Sequence, residues 1–129
     1  MLWYIAVGSA LGGVSRYLFG GAVNRFTGAE FPAGTLLVNV TGSFLLGLLL
    51  RYALENPTLT PEIRAFLTVG FCGGYTTFST FSYETVALLE EGLWGRALLY
   101  IGLSIGLSVG ATLLGLAAAR GLITARGGL

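Results

Sequence analysis

Four long stretches of this chain carry almost no ionisable side chain: residues 2–24, 31–50, 65–83 and 97–119, the first interrupted only by Arg16. About 20 apolar residues in a helix cover the roughly 30 Å hydrocarbon core of a bilayer. Only 10% of the residues are charged, where a soluble domain carries about a quarter. The chain therefore reads as an all-α integral membrane protein of four transmembrane helices. They are placed at about 2–24, 31–50, 63–91 and 95–119, with a break in the third near 73–77. The connections leave no room for a soluble domain, so residues 1–129 form a single membrane domain. The first stretch lacks the basic leader of a cleavable signal and is kept as a mature span.

Side-chain chemistry narrows the function classes. Cys72 is alone, and His, Asp and Lys are absent. Those absences remove nucleophile triads, histidine or thiolate metal sites and Schiff-base lysines. The few Glu residues are scattered rather than paired, so the chain is not expected to be an enzyme.

Arginines bear on orientation. One face collects Arg51, Arg64, Arg120 and Arg126, and the other Arg25, Arg96 and Arg16, four against three. So small a bias barely specifies an orientation, and both are expected to be inserted. Setting Arg16 aside as an intramembrane residue gives four against two and one orientation. Glycine numbers 21, where average usage gives roughly nine. Gly8 with Gly12, and Gly102 with Gly106 and Gly110, form small-residue faces that let helices approach closely. Four thin helices enclose little volume, so a pore is expected between subunits.

Polar residues inside the spans fall in helical register. Tyr100, Ser104, Ser108 and Thr112 recur every four residues, along one side of a helix. Their hydroxyls suit an ion path, or else they bond helix carbonyls. Thr35, Asn39 and Ser43 share such a register in span two. A mid-membrane amide such as Asn39 must bond across helices or face something hydrated.

Span three reads GFCGGYTTFSTF over residues 70–81. Glycines and β-branched threonines weaken a helix, so local unwinding is expected. Unwound backbone at membrane depth must be buried in protein or line a cavity, and freed carbonyls suit a cation. The alternative is an intact helix whose glycines only allow close crossing. Phe78 and Phe81, three apart, share a face, and their positive ring edges favour an anion, although packing is the ordinary use of such a pair. Arg16 supplies a positive field at a pore mouth or snorkels to the interface.

The motifs GGVSRY (12–17), GTLLVNVTGSFLLG (34–47) and GFCGGYTTFSTF (70–81) together resemble the Fluc/CrcB family of fluoride channels. The resemblance spans the four helices. It implies a dual-topology antiparallel homodimer in the plasma or inner membrane, with two pores selective for fluoride and no nucleic-acid partner. By motif position Phe78 and Phe81 resemble the phenylalanines lining the fluoride path, and Asn39 the asparagine beside them. Ser79 and Thr80 would be nearby donors, Tyr100, Ser104 and Ser108 the polar track, and Arg16 the vestibule arginine. Gly73 and Thr76 resemble the positions whose carbonyls hold a structural sodium ion at the dimer centre. Glu84 is assigned a part at the far end of the pore.

Two other classes compete. A small multidrug-type proton-coupled exporter is also a four-span antiparallel dimer, and Glu84 would be its proton-carrying acid. A non-transporting assembly subunit would use the glycine faces for packing alone.

Overall fold

The computed structural model describes residues 1–28 and 30–127, the last two in backbone only. Arg126, weighed above for orientation, has its side chain outside the described residues. Every regular element among the described residues is helical. Helix α1 spans Leu2–Thr27 and α2 Ala33–Glu55. The third span is α3 (Pro61–Ala65), a π-helical segment Phe66–Cys72, α4 (Gly73–Tyr75) and α5 (Phe78–Glu90). Helix α6 covers Trp94–Gly127. Two segments, Ala33–Glu55 and Trp94–Ala125, are long and apolar enough to cross a membrane by length and composition. Helix α1 is comparable in length, about 39 Å at 1.5 Å per residue, but is less apolar around Arg16.

Local chemistry sets the ends. Gly28, at φ +83°, closes α1 with its N–H on the Asn24 carbonyl, a left-handed position suited to glycine. Thr60 caps α3 by accepting the Ile63 N–H at 3.2 Å, and Pro61 occupies the first helical position, where its missing N–H costs nothing.

Helix α2 is the central element. It packs most extensively against α6 and also touches α1, while α1 lies along the π segment and α4, and α5 leans on α6. Small residues make these crossings close. A Cβ at Gly8 would lie 2.5 Å from the Phe66 carbonyl oxygen, and one at Gly74 2.5 Å from that of Ser9. At the α2–α6 crossing, a Cβ at Gly47 would lie 2.5 Å from the Thr112 carbonyl oxygen, and one at Gly115 would meet that of Phe44. The Gly8–Gly12 face is thus consumed within the chain, whereas Cβ positions at Gly102, Gly106 and Gly110 meet nothing. The buried core joins Leu36, Leu88, Ala97 and Tyr100. Large apolar side chains such as Leu98, Leu113 and Leu114 cover the outside, as expected where lipid is the solvent.

Candidate ion pathway

The third span breaks midway, over two residues. Thr76 (φ −84°, ψ 156°) and Thr77 (φ −150°, ψ 118°) are extended, while Gly73–Tyr75 remain helical. The sequence places a break near 73–77, and the structure confines it to the last two of those residues. The glycines instead serve close approach to α1, and the β-branched threonines take the extended conformation they favour. The wide π segment just before the break was not expected from the sequence.

Breaking a helix frees backbone groups, and their partners can be traced. Asn39 of α2 pairs with Thr77 on both sides of the residue: its Oδ1 accepts the Thr77 N–H at 2.8 Å and its Nδ2 donates to the Thr77 carbonyl at 3.0 Å. A carboxamide presents the same donor and acceptor pair as a peptide unit, so Asn39 acts as a one-residue strand for the broken chain. Of the two uses open to this amide, the structure displays the bond across helices. Cys72 accepts from Thr76 through both the N–H (3.0 Å) and the hydroxyl (2.9 Å). Arg16 Nε donates to the Gly74 carbonyl at 3.4 Å. With Thr77 N–H directed to Asn39, the Gly73 carbonyl has no hydrogen-bond donor among the described residues, and neither has that of Thr76.

Arg16 therefore reaches inward. The sequence sets it near the end of span one, but α1 continues to Thr27, and the side chain meets span three at its break. It lines a cavity of about 230 Å³ with Asn24, Thr35 and Thr77.

Helix α5 restarts at Thr77, whose hydroxyl oxygen accepts the Thr80 N–H at 3.3 Å and whose O–H donates to Thr80 Oγ1 at 3.0 Å. Ser79 Oγ lies 3.4 Å from the same hydroxyl. Phe78 and Phe81 come together with ring centroids 5.5 Å apart, tilted by 49°. Phe78 is 78% exposed on the outer surface of the chain, and Phe81 continues the aromatic line to Tyr100 at 5.1 Å. The two phenylalanines, with Asn39, Thr76, Thr77, Ser104 and Ser108, line a second cavity of about 270 Å³.

The hydroxyl stripe of α6 divides by role. Tyr100 is fully buried, and its OH donates to Glu84 Oε1 at 3.5 Å. The same carboxylate oxygen accepts from the Thr35 hydroxyl at 2.5 Å. Thr112 donates to the Ser108 and Ser43 carbonyls at 3.1 and 3.4 Å, the packing use of a membrane hydroxyl. Ser104 differs from both. Its Oγ is buried in the wall of the aromatic cavity and has no hydrogen-bond partner among the described residues.

A third cavity, of about 460 Å³, opens beyond Glu84 among Glu30, Phe31, Glu91 and Arg96. Arg96 and Glu30 form an ion pair at 3.6 Å on its rim. Sequence reasoning missed Asn24, which lines this cavity and the one beside Arg16. Its signal was present: α2 starts at Phe31-Pro32-Ala33-Gly34 with no adjacent capping side chain, so the cap had to come from another helix.

Residues 3–116 match the family described as CrcB-like protein, Camphor Resistance (CrcB). The chain is 50% identical over 118 residues to a protein of Geobacter sulfurreducens named fluoride-specific ion channel FluC, covering 92% of this chain and 95% of that one. A protein of the same name from Rhizobium meliloti is 48% identical over 119 residues, with the same coverage. One from the archaeon Methanopyrus kandleri is 49% identical over 116 residues, covering 90% of this chain and 86% of its own.

Proposed function

The chain belongs to the CrcB family, and on that premise we propose that it is a passive, fluoride-selective channel of the cell membrane that lets cytoplasmic fluoride out. It is not an enzyme, and family membership sets aside the multidrug-type exporter. The observation that carries the reading is Ser104: a buried hydroxyl without a partner, in a cavity walled by two phenylalanines and an asparagine. An unsatisfied polar atom at membrane depth is costly, and a passing anion would satisfy it.

Fluoride sheds water only when other donors replace it. The line Ser108, Ser104 and the ring edges of Phe81 and Phe78 offers donors in series, with Ser79 and Thr80 beside it at the start of α5, and Tyr100 continues the track toward Glu84, to which its O–H is bonded. None carries a full positive charge. Such a path binds well enough to admit the ion and weakly enough to release it. Arg16 contributes a positive field from the neighbouring cavity, which adjoins the aromatic one at Thr77 and forms part of the same path.

The channel is further proposed to be an antiparallel homodimer with two pores. Phe78, Ser79 and Gly73 are exposed beside irregular backbone, which the membrane interior tolerates only where protein or a cavity covers it. A second copy inserted in the opposite sense would cover it, as the weak arginine bias allows. The donor-free carbonyls of Gly73 and Thr76 fit a structural sodium ion shared by the two copies, where they would hold it as oxygen ligands and the ion would neutralise their converging negative ends.

The test is fluoride efflux from liposomes containing only this protein, read with a fluoride electrode. Rapid efflux with chloride retained is expected. Chloride flux without fluoride selectivity would defeat the proposal. Replacing sodium on both sides by a bulky organic cation is expected to lower the melting temperature of the dimer, and indifference to that exchange argues against the sodium site.

A further inference from the structure

Asn24 stands at a boundary: among the described residues it alone lines both the outer cavity near Glu84 and the cavity beside Arg16. Its carboxamide orientation is dictated by α2. The Gly34 N–H, one of the orphan donors of that helix start, is directed to Asn24 Oδ1 at 2.9 Å. Pro32, at the helix cap, provides no side-chain bond. Gly34 is adapted to the close approach of α1, because a Cβ there would meet the Gly20 carbonyl oxygen and lie 2.8 Å from Asn24 Oδ1 and 2.9 Å from its Cγ. With the oxygen committed to Gly34, the amide nitrogen has no acceptor among the described residues, and the residue is exposed where it lines the two cavities. A neutral amide N–H₂ offers two donors and no charge.

Resting on the fluoride-channel reading, we propose that Asn24 is a donor on the fluoride path, handing the ion between the outer cavity and the Arg16 cavity, and that the bond to Gly34 holds this donor in place. The role separates cleanly from capping. Asn24→Ala removes both cap and donor; Asn24→Asp keeps an acceptor for the Gly34 N–H and removes the donor.

The experiment compares the full-length wild type, Asn24→Ala and Asn24→Asp by melting temperature in detergent and by fluoride efflux per active vesicle. Asn24→Ala is expected to lose both stability and flux. Asn24→Asp is expected to recover the melting temperature yet stay about tenfold below wild-type flux, with the deficit persisting in about 0.5 M potassium gluconate, where a field effect alone is screened. Wild-type flux in Asn24→Asp, or its recovery in high salt, overturns the proposal. Should Asn24→Asp not fold, efflux per active vesicle within twofold of wild type in Asn24→Ala overturns it equally. A wild-type protein that passes no fluoride defeats the channel reading instead.

Discussion

Replacing Asn39 by alanine tests the claim that the break in span three is held from outside its own helix. The substitution removes two bonds at 2.8 and 3.0 Å and leaves both the N–H and the carbonyl of Thr77 without partners. Interhelical polar bonds in membrane proteins contribute about 0.6 kcal/mol on average and up to about 1.7, so the pair is expected to supply about 1–3 kcal/mol. At about 1.4 kcal/mol per factor of ten, the ratio of correctly placed to misplaced Thr77 falls about 5- to 100-fold. Thr77 also caps α5 and begins the segment bearing Phe78 and Phe81, so fluoride flux should fall as well. Asn39→Asp retains an acceptor for the Thr77 N–H but sets a second oxygen against the Thr77 carbonyl, and should fare no better than alanine. Fluoride efflux and hydrogen exchange at Thr77 and Phe78 are the readouts. Wild-type exchange protection in Asn39→Ala would refute the reasoning, because the break would then be held without the amide.

Three further outcomes are expected. Phe81→Ile should cut fluoride efflux while the dimer survives by size-exclusion chromatography, and unaltered flux removes the ring from the mechanism. Ser104→Ala should melt at an equal or higher temperature, since it deletes an unpartnered buried hydroxyl with a desolvation cost of about 1–3 kcal/mol, yet conduct more slowly; a faster channel contradicts the donor role. Gly74→Leu should destabilise the α1 crossing by at least the roughly 1–3 kcal/mol of an overpacked core, because even the first carbon of the new side chain meets the Ser9 carbonyl; a melt unchanged from wild type would mean that α1 yields there.

Much of the architecture was legible in the sequence because lipid forbids charge, and the gaps between arginines and glutamates outline the spans. The break was legible too, within 73–77, but not which two residues make it. Glycine marks both unwound backbone and close helix approach, and Gly74 against Ser9 is the second case, which leaves Thr76 and Thr77 to make the turn. The π segment has no local signature, since it follows from bringing Gly70 and Gly74 against α1. Periodicity grouped Tyr100, Ser104, Ser108 and Thr112 as equals, yet only the neighbouring helix decides that Thr112 meets the Ser43 carbonyl while the Ser104 hydroxyl finds no hydrogen-bond partner among the described residues. Asn24 was overlooked because capping is sought next to the helix start, and here the cap arrives from the preceding helix.

The polar groups of the membrane interior divide by whether the fold consumes them. Asn39 takes up Thr77, Arg16 takes up Gly74, and Thr112 takes up two carbonyls; removing any of these partners should loosen the structure. Ser104 and the Gly73 and Thr76 carbonyls are left over among the described residues, and the exposed amide nitrogen of Asn24 adds a donor near the end of α1. A soluble protein could leave such groups to water. A membrane protein cannot do so without cost, and the residues left over are of two chemical kinds, oxygen acceptors at the break and neutral donors along the cavities. Acceptors suit a cation that stays, and weak donors suit an anion that moves. That separation makes the structural-ion and transported-ion hypotheses independently testable: sodium exchange should act through Gly73 and Thr76, and fluoride flux should respond to Ser104 and Asn24, without either perturbation reproducing the other.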